Sequence, residues 1–224
     1  RVVTGTDIPR MMETGIQALG GWTAFVPKGG KVALKPNVAW ASLPEQGGNT
    51  QPAMVEHAVR ACQAAGAAEI VLPENPCSPA KVCFEMSGIA AVARRTGVRL
   101  YEPKDDQDFV DVDIPRGQVL RQAAVTRAIL ECDCLINMPV AKTHSGAILT
   151  LGMKNWMGVV RDRGVWHRSG LHQCIADFST RLRPKLVIVD ATRIMVTNGP
   201  RGPGRLETPN QIIFGTDPVA VDAV

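Results

Sequence analysis

The segment from Lys31 to Pro76 limits the fold more than any other part of the chain. Val32-Ala33-Leu34 is a short apolar run closed by Lys35-Pro36-Asn37. Thr50 and Pro52 then read as an N-cap with proline in the first turn. Met54, Val55, Ala58, Val59 and Cys62 recur at helical spacing until Gly66. Glu69-Ile70-Val71-Leu72 follows and is closed by Pro73-Glu74-Asn75-Pro76. Strand, helix, strand at this spacing is a βαβ unit, which requires parallel strands.

The alternation continues. Helix is expected over Ile89–Arg95, strand over Val98–Tyr101, helix over Val119–Leu130 and strand over Cys134–Met138. Leu171–Leu182 reads as helix, and Leu186–Val189 and Gln211–Phe214 as buried strands. Acidic and apolar residues alternate from Asp105 to Pro115, which suits a hairpin or edge strand in a small excursion near 103–118. "NGPRGPG", Asn198–Gly204, can be neither helix nor strand and is a loop: a plain surface excursion first, with a lid or an oligomer contact as the functional readings. The expectation is an α/β fold: a mostly parallel, Rossmann-like sheet flanked by helices, in one domain over residues 1–224. Asp217–Val224 reads as a helix cut in mid-course, so both termini are expected to be truncated.

Bulk properties exclude several classes. A formal charge of +4 and 4% aromatic residues argue against nucleic-acid binding. No apolar run approaches the ~20 residues a membrane helix needs, so no membrane insertion is expected, and no secretory leader is visible. The excess charge is local: between Lys142 and Arg168 stand Lys142, Lys154, Arg161, Arg163 and Arg168 against Asp162 alone. The sequence also lacks GxGxxG after the first strand, a P-loop and a GxSxG elbow.

That basic stretch, "NMPVAKTHSGAILTLGMKNWMGVVRDRGVWHR", points to anion binding. In open parallel sheets ligands bind beyond the carboxyl ends of the strands. Lys35 and Asn37, Glu74 and Asn75, Lys142 and His144, Asp190 and Thr192, and Thr216 and Asp217 all follow strands, which predicts one convergent site. Lys142, His144 and Asp190 are the candidate catalytic residues. Lysine binds a phosphate or carboxylate as a point charge, and when desolvated serves as a base or nucleophile. Histidine moves protons near neutral pH. Lys35, Asn37, Lys154, Asn155 and Asp217 are the candidate substrate-binding residues. Ala147–Met153 is expected to be a buried helix, which would leave Lys154 in need of a partner such as Asp190 or Asp217. The small-molecule partner would be anionic, and self-association is a further expectation.

Rival chemistries are open. His144 and His167 with a carboxylate would make a two-His-one-carboxylate metal site. Cys77, Cys83, Cys132 and Cys134 would be the ligands of an iron–sulfur cluster, although ferredoxin spacing is absent. A Cys77–Cys83 disulfide would fit an exported protein. A non-catalytic binding module with structural lysine–aspartate pairs is the third alternative.

"VALKPNVAW", "NTQPAMVEHAVRACQAAGA", "DCLINMPVAKTH", "LTLGMKNWMGV", "VIVDATRIMVTNGPRG" and "GTDPVAVDA" together resemble the family called Domain of unknown function 362, from about Lys31 to Asp222. "PCSPAKVCFEMSGI" resembles a subgroup whose members often carry a twin-arginine leader; that would imply a periplasmic location after Tat export, against a cytoplasmic one without it. Some relatives carry ferredoxin-type modules, which implies oxidoreductase work. Family-typical polar positions match Lys35, Asn37, Lys142, His144, Lys154, Asn155, Asp190, Asp217 and Asp222, with no role assigned to any.

Overall fold

A computed structural model describes residues 1–224. Its strands are β1 (Val2–Thr4), β2 (Lys31–Pro36), β3 (Glu69–Pro73), β4 (Arg99–Tyr101), β5 (Phe109–Asp113), β6 (Gln122–Thr126), β7 (Cys134–Met138), β8 (Val140–His144), β9 (Ile148–Thr150), β10 (Leu186–Met195), β11 (Leu206–Glu207) and β12 (Gln211–Gly215). The helices are α1 (Ile8–Gln17), α2 (Pro52–Ala64), α3 (Ala80–Met86), α4 (Ile89–Thr96), α5 (Arg127–Leu130), α6 (Arg163–Ser169), α7 (Leu171–Ser179) and α8 (Pro218–Asp222). Ten strands form one mostly parallel sheet with the spine β1-β12-β10-β7-β2-β3-β4. The pairs β2–β3, β3–β4, β2–β7 and β7–β10 are parallel; β12 and β1 close one edge antiparallel.

Residues next to each other on a strand face opposite sides, and the sequence uses both. Val32, Leu34, Leu72, Ile136, Leu186 and Ile188 pack with Met12 of α1, Met54 and Val59 of α2, and Ile89 and Val92 of α4. Ala33, Val71 and Leu135 turn to the other face, against Trp156, Trp166 and Phe178. The Trp166 and Phe178 rings are tilted at 5.0 Å between centroids. This double burial is why the strands read as continuous apolar runs.

From β2 the chain winds outward to β3 and β4. It then returns to β7 on the other side of β2 and winds the opposite way to β10. The β2–β7 boundary is therefore a topological switch point, where diverging connections leave a crevice at the strand ends.

Three local expectations are corrected. The stretch 119–130 is not one helix: β6 pairs antiparallel with β5, and only Arg127–Leu130 is helical. Cross-strand pairing and the buried Val125 outweigh the helix propensity of the two alanines, and the excursion extends to Thr126. The stretch 147–153 is not a buried helix either. Ser145-Gly146-Ala147 turns the chain, and β9 folds back on β8 with Ile148 and Leu149 exposed. The turn is tight enough to hold Ile148 at φ +65°, rare for a β-branched residue. Thr50 does not cap α2. Its hydroxyl donates to the Met138 carbonyl (2.7 Å) and accepts from the Asn37 amide (2.9 Å), tying the helix entry to the switch point.

Candidate functional site

A cavity of about 310 Å³ opens at the carboxyl ends of β2, β3 and β7. Asn37 and Trp40 line it after β2, Glu74 and Cys77 after β3, and Lys142 and His144 from β8. Lys154, Asn155 and Gly158 come from the 3-10 turn Lys154–Val159, Arg163 and His167 from α6, and Pro200 and Arg201 from the long loop before β11. Lys142 and His144 share one side because two positions along a strand is one full period. Pro139 breaks β7 and lets the chain continue as β8, which pairs with β10 beside the crevice.

Beneath the cavity lies a locked polar chain. Lys35 is fully buried, and its ammonium donates to Glu74 Oε2 at 2.7 Å and to the Pro36 carbonyl. Burial drives its pKa down, with Glu74 opposing. Glu74 Oε2 also accepts from the Val38 amide (2.8 Å), and Oε1 from the Asn75 amide (3.1 Å). Asn155 Oδ1 accepts from Lys35 (3.4 Å) and from Asn37 Nδ2 (3.2 Å). Asn155 Nδ2 donates to Asn137 Oδ1 (2.8 Å), and Asn137 donates in turn to the Gly152 carbonyl (2.8 Å). Each amide fixes the orientation of the next. The last in line, Asn37 Oδ1, accepts from the Lys142 ammonium at 2.8 Å.

Lys142 is 2% exposed and also donates to the Gly48 carbonyl. Both partners are acceptors and neither carries charge. Desolvation therefore pulls the amine down to about 7, with Lys154 and Lys35 adding to the shift and Glu74 resisting it. Lys154 is lowered to about 8, chiefly by burial, and its ammonium has no hydrogen-bond partner in the chain. His144 falls to about 4 through burial and the nearby Lys154, His167 and Lys142. Its Nδ1 accepts from the Gly146 and Ala147 amides at 3.0 and 3.1 Å, so the ring proton sits on Nε2. Arg163 is spent on the Pro76 and Asn75 carbonyls, which anchor α6 to the loop after β3.

Not every expected residue comes to the cavity. Asp190 is buried, but Oδ2 accepts from the Gln51 amide (2.8 Å) and Oδ1 from the Thr192 amide and hydroxyl (3.0 and 2.7 Å). It holds the start of α2, and burial raises its pKa. Asp217 is the N-cap of α8, and Asp222 accepts from the Gly152 and Met153 amides (2.7 and 2.8 Å). None of the three faces a lysine. The charge partner of the core is Glu74, whose place after a buried strand was the available signal. Arg201 gave none beyond its loop. His144 and His167 stack with centroids 6.5 Å apart, and no third His, Cys, Asp or Glu joins them. All six cysteines are free; the Cys83 thiol is buried against the Ser78 carbonyl, while Cys77 is exposed at the cavity, so the two form no disulfide. No helix is long and apolar enough to cross a membrane.

The family profile described as Domain of unknown function (DUF362) matches residues 32–224. The chain belongs to that family. This DUF362 chain is 23% identical over 197 residues to a thylakoid-associated protein of Synechocystis sp., covering 84% of the chain and 60% of the relative. It shares its fold with a protein of Thermotoga maritima (TM-score 0.55, 13% identity, 97% of this chain, 58% of that one). It also shares it with the lactate racemase apoprotein of Thermoanaerobacterium thermosaccharolyticum (TM-score 0.56, 10% identity, 99% and 55%). The DUF362 chain thus spans somewhat over half the length of each.

Proposed function

We propose that the cavity is the substrate site of an enzyme acting on a small carboxylate or phosphate. The supporting observation is a charge imbalance: Lys142, Lys154, Arg163 and Arg201 line the cavity, and the one carboxylate among its lining residues, Glu74, is already engaged by Lys35 and two backbone amides. Lys142 is buried and Lys154 half-buried, neither with a carboxylate partner; such cations are unfavourable without a counter-ion, and a bound anion would relieve that cost. Lys154 and Arg201 hold the anion. The Nε2–H of His144 donates to it. Lys142, titrating at about 7, is the group that takes or gives a proton at neutral pH. Asp190 and Asp217 have no part in this chemistry and serve the scaffold. Likeness to lactate racemase supports the reading only at the level of fold, although lactate, a small hydroxy acid, has the chemistry the cavity suits.

Thermal unfolding with added acetate, lactate or phosphate tests this. Stabilisation should approach about 2.7 kcal/mol at a hundred times the dissociation constant. Lys142→Met and Lys154→Met should each abolish most of the shift, whereas Lys81→Met, an exposed position, should keep it. A wild-type chain indifferent to all three anions would defeat the proposal.

A further inference from the structure

We infer that Lys142 is a carbonyl nucleophile, condensing with a small 2-oxo acid to form an imine inside this cavity. The inference rests on the anion-site reading and names its substrate class. The Lys142 nitrogen is held by two groups that only accept, Asn37 Oδ1 and the Gly48 carbonyl. A neutral amine has two hydrogens to give, and these two contacts use both. The fourth tetrahedral position, the lone pair, is then left for the cavity that Lys142 lines.

The surroundings keep that arrangement in place. Asn37 cannot turn its amide round, because its Nδ2 donates to Asn155 Oδ1, which Lys35 also holds. Gly48 sits where a Cβ would lie 2.6 Å from the Ser42 hydroxyl, so its backbone is closely packed. Lys154, with no partner of its own, remains a cation for the carboxylate of the same substrate. The His144 Nε2–H is a donor for the carbonyl oxygen.

The chemistry needs no additional reagent. The lone pair attacks the carbonyl carbon and forms a C–N bond. The carbonyl oxygen leaves as water with two hydrogens, at least one of them from the amine, and a C=N bond remains. Half-titration near neutrality supplies the free amine. An ordinary surface lysine at pH 7 is neutral in only about one molecule in 2,500.

The test is reductive trapping at pH 7 with pyruvate and cyanoborohydride, followed by peptide mass mapping. The expected result is one adduct, on Lys142, formed at least tenfold faster than on any other lysine and slowed by phosphate. Lys142→Met should lose it; if that variant fails to fold, the wild-type map alone decides. Label spread over exposed lysines, or placed on Lys154, overturns the inference. Wild type that is stabilised by phosphate yet takes no label on Lys142 also overturns it, while leaving the anion site standing. Wild type that shows neither response removes both.

Discussion

The proposed chemistry turns on Lys142 because no carboxylate contacts its nitrogen. Its folded pKa of about 7 lies below the unfolded value of about 10.4. Between those values the unfolded chain holds a proton that the folded chain lacks, so stability rises with pH across that window. Below pH 7 the fold must carry a desolvated ammonium. Lys154, at about 8, adds to the trend. Chemical denaturation from pH 6.5 to 10 should therefore show stability increasing by up to ~4 kcal/mol from Lys142, and Lys142→Met should flatten the rise. Anion affinity should run the other way. A bound anion favours the charged amines, so binding takes up protons and weakens above about pH 7 to 8, a trend calorimetry at several pH values would measure.

The parts beneath the cavity are held by one buried ion pair. Lys35→Met would leave Glu74 uncompensated, and loss of one partner from such a pair costs about 3–5 kcal/mol. Glu74→Gln should cost similarly, whereas the double variant Lys35→Met/Glu74→Gln should recover much of the loss; urea denaturation of all three forms the check. Gly158 packs directly on this pair, since a Cβ there would lie 2.0 Å from Glu74 Oε1 and 2.8 Å from the Lys35 nitrogen. Gly158→Ala should destabilise the chain by about 1–3 kcal/mol and loosen the turn that carries Lys154, seen as a lower Tm together with weaker anion stabilisation. Sequence pattern disclosed β2, α2, β3 and α4 because their apolar residues repeat with a clean period. It misplaced 119–130 and 147–153, whose structure is set by pairing with β5 and β8. For Ala147–Met153 the Ser145-Gly146 turn was a signal outweighed by the apolar run.

The strand order determines which polar residues meet. Lys35, Asn37, Lys142 and His144 stood out in the sequence as strand-end groups; the β2–β7 switch point sets the ends of β2 and β7 side by side, and β8, which continues the chain past β7 and pairs with β10, carries Lys142 and His144 to the same crevice. Asp190 and Asp217 stood out for the same reason but are diverted into holding α2 and capping α8. Strand-end position shows that a residue is near the carboxyl edge; it does not show which contact that residue will satisfy. Glu74 was legible in the same way, directly after β3, whereas Arg201 reaches the site on the long loop before β11, whose course no short-range pattern encodes. The most direct test is a crystal structure of the chain soaked with a small carboxylate or phosphate. The account predicts an anion in the cavity with oxygens at about 2.7–3.2 Å from the Lys142 and Lys154 nitrogens. An unliganded cavity under saturating anion, or lysines swung out to pair with surface carboxylates, would contradict it.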